Sequence, residues 1–94
     1  MNETKFYWNE TKSWRLKRMR GLSFEDLTFE ALVDLIDHPS RADQVLLLFW
    51  INDYIWVAPA VHEADGFFLK TFYPSRKHYK LYLERKRYGK EDEN

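Results

Sequence analysis

The chain has 94 residues, a formal net charge of zero and no cysteine, and 45% of its residues are hydrophobic. This length suits one domain, the apolar content excludes a disordered chain, and the absence of cysteine excludes disulfides and thiolate metal sites. The longest apolar run, residues 45–51, is too short to span a membrane, and residues 1–5 lack a signal core. We therefore expect a cytoplasmic protein with a single domain over 1–94, a core over 6–87 and a flexible tail over 88–94.

The first half of the chain predicts one short strand and two helices. Phe6–Trp8 is an aromatic run typical of a strand. Asn9 is a good helix cap and Gly21 a good helix stop, so they delimit a basic first helix. Residues 24–38 predict a second helix between a serine cap and a proline, because their apolar residues recur at helical spacing. Those apolar residues are Phe24, Leu27, Ala31, Leu32, Leu35 and Ile36.

The second half predicts three strands and a last helix. Residues 45–51 are continuously apolar, which is typical of a buried central strand. The Asn52-Asp53 pair favours a tight hairpin turn into a strand over 54–61. Pro59 cannot donate a backbone hydrogen bond, so that strand should have an edge or a bulge near its end. A third strand over 67–73 leads to the C-terminal helix.

Together these elements predict an α+β fold in the order β-α-α-β-β-β-α. The hairpins over 45–73 give an antiparallel sheet. The two paired helices should cover one face of this sheet, and the C-terminal helix follows it.

Charge is segregated along the chain. Residues 1–24 carry six basic residues against two acidic ones, and residues 67–94 carry eight against four. Residues 25–66 carry one basic residue against nine acidic ones. If the two basic ends meet in the fold, they form one positive face that attracts a polyanion. The alternative is that these charges only solvate surface helices.

The junction between the last strand and the last helix is the most distinctive place. Ser75 predicts the helix cap, and Arg76, Lys77 and His78 follow it where acidic residues are usually preferred. Such a local conflict is typical of a functional site, and a bound phosphate would offset it. The alternative is that these side chains extend into water. Lys70 and Lys80 flank the same junction.

His62 and His78 are the candidate catalytic histidines, because imidazole can act as acid or base near neutral pH. His38 is interpreted as a helix-end residue, and no histidine pair has metal-ligand spacing, so we expect no metal and no cofactor. RNA can be cleaved without metal through its own 2′-hydroxyl, given a base, an acid and cations. Aromatic rings such as Tyr73 can stack on bases. The predicted RNA-binding residues are Lys12, Arg18, Arg20, Lys70, Tyr73, Lys77 and Lys80.

Three stretches resemble the BrnT family of toxins from type II toxin–antitoxin systems. Residues 8–12, Trp-Asn-Glu-Thr-Lys, resemble the family's W-D-x-x-K opening, and residues 21–25, Gly-Leu-Ser-Phe-Glu, its H-G-V-S-F-E-E segment. Residues 72–77, Phe-Tyr-Pro-Ser-Arg-Lys, resemble its closing I-S-A-R-x-A signature. Asn9 replaces the family's aspartate, and Arg20 stands where a histidine is usual.

The resemblance spans about residues 6–85 and implies a RelE/ParE-like fold. It implies an endoribonuclease with Arg76 as a catalytic residue. It also implies a DNA-binding antitoxin, through which alone the toxin reaches operator DNA, in a dimer or heterotetramer. RNA, whether free or on the ribosome, would be the substrate.

Two other functions stay open from the sequence. One is a non-catalytic binding module or a gyrase-type toxin that acts on a protein, which the absence of a catalytic signature favours. The other is a small nucleic-acid-binding protein outside toxin systems, which would show salt-sensitive affinity without growth effects.

Overall fold

A computed structural model describes residues 4–92. This part of the chain forms six strands, two α-helices and one 3₁₀ turn. In chain order they are β1 Lys5–Tyr7, α1 Glu10–Arg20, the 3₁₀ turn Phe24–Asp26, β2 Leu32–Asp37, β3 Gln44–Ile51, β4 Tyr54–Glu63, β5 Gly66–Leu69, β6 Tyr73–Pro74 and α2 Arg76–Asp92.

All six strands belong to one mixed sheet in the order β1-β5-β4-β3-β2, and β6 pairs with β4 beyond the end of β5. Strands β2 to β5 are joined as an antiparallel meander. Strand β1 returns to the far edge and pairs with β5 in parallel. The predicted α+β class and the antiparallel meander are therefore confirmed, whereas the predicted element order is not.

The sheet buries apolar residues on both faces, and each face has its own helix. One cluster joins Leu16 of α1 to Leu47, Phe49 and Ala58 of the sheet. The alternating strand residues, such as Leu48, form a second cluster that packs under α2. Successive strand residues point to opposite faces, so α1 and α2 lie on opposite sides. The predicted pair on one face, the first helix and a helix over 24–38, is wrong because residues 24–26 form only a 3₁₀ turn and residues 32–37 form a strand.

The second predicted helix, residues 24–38, is also wrong. The Ser23 backbone N–H donates to the carboxylate of Asp26 at 2.8 Å, so the predicted helix start exists. The helix stops after one 3₁₀ turn, and residues 32–37 become β2 instead. Residues 32–37 form ladder hydrogen bonds with β3 at the edge of the sheet. The helical spacing of the local sequence cannot reveal this long-range pairing.

A β-bulge interrupts the alternation of side chains near the start of β2. Leu32 pairs with Phe49 while Asp34 pairs with Leu48, which leaves Val33 as an extra residue. A bulge places two residues opposite one and interrupts the period of two. The sequence Leu-Val-Asp-Leu-Ile-Asp therefore matches a helical pattern by coincidence.

Several local predictions are confirmed. Asn9 caps α1 by accepting the Lys12 backbone N–H at 2.9 Å, and Gly21 ends the helix with a φ of 82°. Asn52 and Asp53 both have positive φ, as the tight β3–β4 turn requires. The edge or bulge predicted near the end of the strand is not found, because β4 is central and pairs with β3 through Pro59 without a register shift. Pro59 instead lies between the β5 and β6 pairings, where its carbonyl accepts the Lys70 N–H at 2.9 Å and no donor from Pro59 is needed.

The predicted strand over 67–73 is divided in two. Strand β5 ends at Leu69, and β6 contains only Tyr73 and Pro74. The predicted tail over 88–94 is helical as far as Asp92, and residues 93–94 lie outside the described residues. No helix in the described range has the length and apolar character needed to cross a membrane.

Gly66 should be intolerant of any side chain. A Cβ at this position would lie 1.8 Å from the Lys5 backbone oxygen, across the β1–β5 pairing. Because backbone must move, we expect Gly66→Ala to destabilise the fold by about 1–3 kcal/mol, as overpacking does. Urea unfolding measures this change.

The matched control is Gly21→Ala. Gly21 has positive φ, but a Cβ there meets no atom within 4 Å. Gly21→Ala should lower the free energy of unfolding by about 1 kcal/mol, because a residue with a Cβ disfavours positive φ. A Gly66→Ala protein as stable as the wild type would contradict the observed β1–β5 register.

Candidate functional site

The start of α2 is fixed to the middle of the sheet. Strand β6 pairs with β4 through Tyr73 opposite Val57, and the Ser75 backbone N–H donates to the Ile55 carbonyl at 3.0 Å. Helix α2 begins at the next residue, Arg76. The first turn of α2 is therefore held by ladder hydrogen bonds rather than carried on a loose loop.

Ser75 caps α2 and also contacts His78. Its Oγ accepts the His78 backbone N–H at 3.2 Å and lies 2.9 Å from the His78 Nδ1. When Nδ1 carries the ring proton and donates it to Oγ, Nε2 presents a free lone pair. The cap thus orients the imidazole as well as the helix.

The pKa of the His78 imidazole is lowered from its usual value of 6.5, first by partial burial and second by the charge of Lys77. Both effects disfavour the charged ring. His78 is therefore predominantly neutral at neutral pH, which is the form that accepts a proton.

His78 opens onto a groove between α2 and the β2–β3 edge of the sheet, with a volume of about 370 Å³. Its floor is apolar and includes Leu46 and Leu48. Its rim carries both signs of charge. The lining residues are Asp34, Ile36, Asp37, Pro39, Leu46, Leu48, Lys77, His78, Leu81, Tyr82 and Arg85.

An ion pair between Arg85 of α2 and Asp34 of β2 joins the two sides of the groove. The hydrogen bond from the Arg85 guanidinium to the Asp34 carboxylate raises the pKa of Arg85 above its usual value. Because the sequence predicts a helix over residues 24–38, it does not reveal this contact across the groove. Only recognition of β2 as a strand would have revealed it.

A stack of aromatic rings supports the α2 side of the sheet. Tyr79 stacks on Tyr54 at 4.6 Å and on Trp50 at 6.0 Å, and Tyr82 lies 5.6 Å from Trp50. Tyr73 packs against the same apolar cluster and is half-buried. These tyrosines therefore serve mainly in packing, and only their partly exposed edges are free to meet a base.

The structure does not bring the three predicted catalytic residues together. Arg76 and His78 share the first turn of α2. His62 lies near the end of β4, where its ring packs 5.0 Å from Phe67. By strand alternation it shares the α1 face with Ala60. The structure thus separates His62 from Arg76 and His78.

The predicted RNA-binding residues also fall into two groups. Lys77 and Lys80 lie on α2 and Lys70 follows β5, whereas α1 carries the remaining cations on the other side of the sheet. The single positive face expected from the two basic ends does not form. The α1 group consists of Lys12, Arg18 and Arg20.

No group of three histidine, aspartate or glutamate side chains within the described range has a geometry that would hold a metal ion. The chemistry available at the α2 junction is that of cations, a neutral imidazole and a serine hydroxyl.

No protein-family model matches the chain, and no curated protein matches it. A solved structure does: the 1.1 Å crystal structure of the Brucella abortus ribonuclease toxin BrnT superposes with a TM-score of 0.62. The alignment covers 78% of this chain and 97% of the toxin, at 21% sequence identity. This chain has the BrnT fold. The resemblance read from the sequence is thus confirmed at the level of the fold.

The alignment covers 97% of the toxin, and this coverage bears on the candidate site. An alignment over almost the whole toxin means that the shared fold is the complete toxin fold rather than one common motif. Within the BrnT fold of this chain, the strand–helix junction that carries Arg76 is anchored to the central strand.

The pKa of His78 gives a direct test of this junction. Burial and the charge of Lys77 both lower the pKa of His78, and burial is the larger cause. Replacing Lys77 by alanine should therefore raise the pKa of His78 but leave it below 6.5. Titration of the imidazole by NMR measures it.

Lys80→Ala is the control, because Lys80 is one turn further on and is not among the causes of the shift. An unchanged His78 pKa in Lys77→Ala, or an equal change in both variants, would contradict the described geometry.

Proposed function

We propose that this protein is the toxin of a type II toxin–antitoxin system and a metal-independent endoribonuclease. The observation that carries the proposal is the match to a ribonuclease toxin over nearly that toxin's whole length. The α2 junction supports it independently, since a neutral imidazole lies among exposed cations there.

The reaction would use the 2′-hydroxyl of the RNA as nucleophile. A base removes the 2′-proton, the 2′-oxygen attacks phosphorus, and the bond to the 5′-oxygen breaks as that oxygen receives a proton. The products are a 2′,3′-cyclic phosphate and a free 5′-hydroxyl. General acid–base catalysis of this kind contributes about 10²–10⁴-fold.

His78 is assigned the base, because its lowered pKa leaves the ring neutral at pH 7. Arg76, in the first turn of α2 and exposed, is assigned to the developing charge on the phosphate. The free backbone N–H groups at this helix start add to the same positive potential. Lys77 and Lys80 would bind the neighbouring phosphates.

His62 is not part of this assignment. Its position on the opposite face of the sheet favours a surface or packing role beside Phe67. The proton for the leaving oxygen would then come from water or from the protonated form of His78.

The partner would be a DNA-binding antitoxin that blocks the toxin and carries it to operator DNA. The family resemblance and the ribonuclease toxin with the same fold support this proposal. Contact of the toxin itself with DNA is not required.

The separation of His62 from Arg76 and His78 favours one second candidate, a toxin that acts by binding a protein. It would arrest growth without cleaving RNA.

The test is expression of wild type, Arg76→Ala and His78→Ala in bacteria, scored for growth and for intact RNA. We expect growth arrest and RNA loss with the wild type but not with these two variants, whose cleavage rate should be at least about 10²-fold lower. Arg41→Ala is the matched control, because Arg41 is an exposed arginine that does not line the groove beside His78, and this variant should behave like the wild type.

Arrest with RNA intact would favour the protein-targeting toxin. Full toxicity and cleavage by a folded Arg76→Ala protein would remove Arg76 from the site.

The pH dependence of cleavage gives a further prediction. If the His78 imidazole is the base, activity falls as pH drops through its pKa. Lys77→Ala raises that pKa, so the acidic limb of the profile should move to higher pH. An acidic limb that stays in place while the imidazole pKa moves would exclude His78 as the base.

A further inference from the structure

Helix α1 has an outer surface that the proposed nuclease site does not use. Among its described residues only Ser13 and Leu16 are buried. Trp14 is 70% exposed and Met19 is 67% exposed, which are high values for large apolar side chains. Exposed apolar side chains grouped on one surface are typical of interaction sites.

These two side chains belong to a shallow groove of about 530 Å³. Thr11, Arg15 and Met19 follow one another at intervals of four residues and form one ridge. Trp14 and Arg18 form the next ridge. The groove lies between them, and such a groove accepts the side-chain ridge of another helix.

The charge of this surface selects the helix that can fit. Helix α1 carries five basic residues against one acid. Within the described side chains the ion pairs are Lys5–Asp65 and Arg85–Asp34, so no α1 cation has a carboxylate partner. A partner with carboxylates beside an apolar ridge would pair with Arg15 and Arg18 while filling the groove.

A second copy of this chain cannot supply that helix. Residues 76–87 of α2 carry six basic residues against one acid, and α1 is equally basic. Two such helices would repel each other. RNA could stack a base on Trp14 and pair its phosphates with the arginines, but it has no apolar side chain to cover Met19, which the apolar ridge of a helix would bury.

We propose that the outer face of α1, formed by Thr11, Trp14, Arg15, Arg18 and Met19, docks an acidic amphipathic helix of a partner protein. The identity of that partner as the antitoxin rests on the proposed function. The docking surface itself rests on exposure, groove shape and charge, and it lies on the opposite face of the sheet from Arg76 and His78.

The probe is a fluorescein-labelled synthetic helix of leucines and glutamates, with the leucines in one stripe. The same helix with lysine for glutamate is its counterpart. Fluorescence anisotropy with the full-length protein measures affinity. Met19 is one of two methionines in the chain, so ¹³C-methyl labelling gives it a separate NMR signal, assigned by Met19→Leu.

We expect the acidic helix to bind and to shift the Met19 methyl signal, and the lysine helix not to bind. Truncating both apolar anchors, in Trp14→Ala/Met19→Ala, should weaken binding at least about tenfold. Reversing charge in Arg15→Glu/Arg18→Glu should do the same and allow the lysine helix to bind.

Lys17→Glu/Arg20→Glu is the matched control, since it reverses two exposed α1 charges that do not line the groove. It should change affinity less than about threefold, in line with a rim charge. All of these variants change exposed side chains, and circular dichroism checks that each folds.

The proposal would be overturned if the acidic helix did not bind at millimolar concentration. It would also be overturned if the Lys17→Glu/Arg20→Glu control lost as much affinity as the Arg15→Glu/Arg18→Glu variant. Binding of a 12-nucleotide RNA that needs Trp14, Arg15 and Arg18 and shifts Met19 would reassign the surface to RNA. Peptide binding without any RNA cleavage in the growth test would leave this inference standing and the proposed nuclease refuted.

Discussion

The pairing of β6 with β4 determines the geometry of the candidate site. Strand β4 contacts β3 along one side and both β5 and β6 along the other. Its residues alternate between the two clusters, with Ala58 and Ala60 under α1 and Ile55 and Val57 under α2. The first turn of α2 is fixed only because β6 adds to this central strand. Loss of that short pairing would release Ser75, and with it the orientation of the His78 ring.

The basic surfaces of the molecule are separated because each face of the sheet is covered by a different helix. Both chain ends are basic, but α1 and α2 lie on opposite faces. A single polyanion-binding face would have required both helices on one side. The observed arrangement gives each helix its own exposed cations, so the proposed nuclease site and the proposed docking groove lie on different faces of the sheet.

Local chemistry was predictable from sequence, and long-range pairing was not. The Asn9 cap, the Gly21 stop and the Asn52-Asp53 turn depend on neighbouring residues, and each is found. Strand β2 depends on pairing with β3 and on a bulge at Val33, which no local pattern records. The site inherited this error: Arg76 and His78 could be placed at a helix start, but Asp34 opposite Arg85 could not.

The first turn of α2 shows how an unfavourable local choice can become useful. Three residues, Arg76, Lys77 and His78, occupy a helix start where positive charge is disfavoured. The helix tolerates two of them because their side chains are exposed and reach water. His78 adds no positive charge there when its ring is neutral, and partial burial and Lys77 both favour the neutral ring by lowering the pKa of His78. Partial burial, with a smaller contribution from the charge of Lys77, therefore keeps a proton acceptor beside two cations at this helix start.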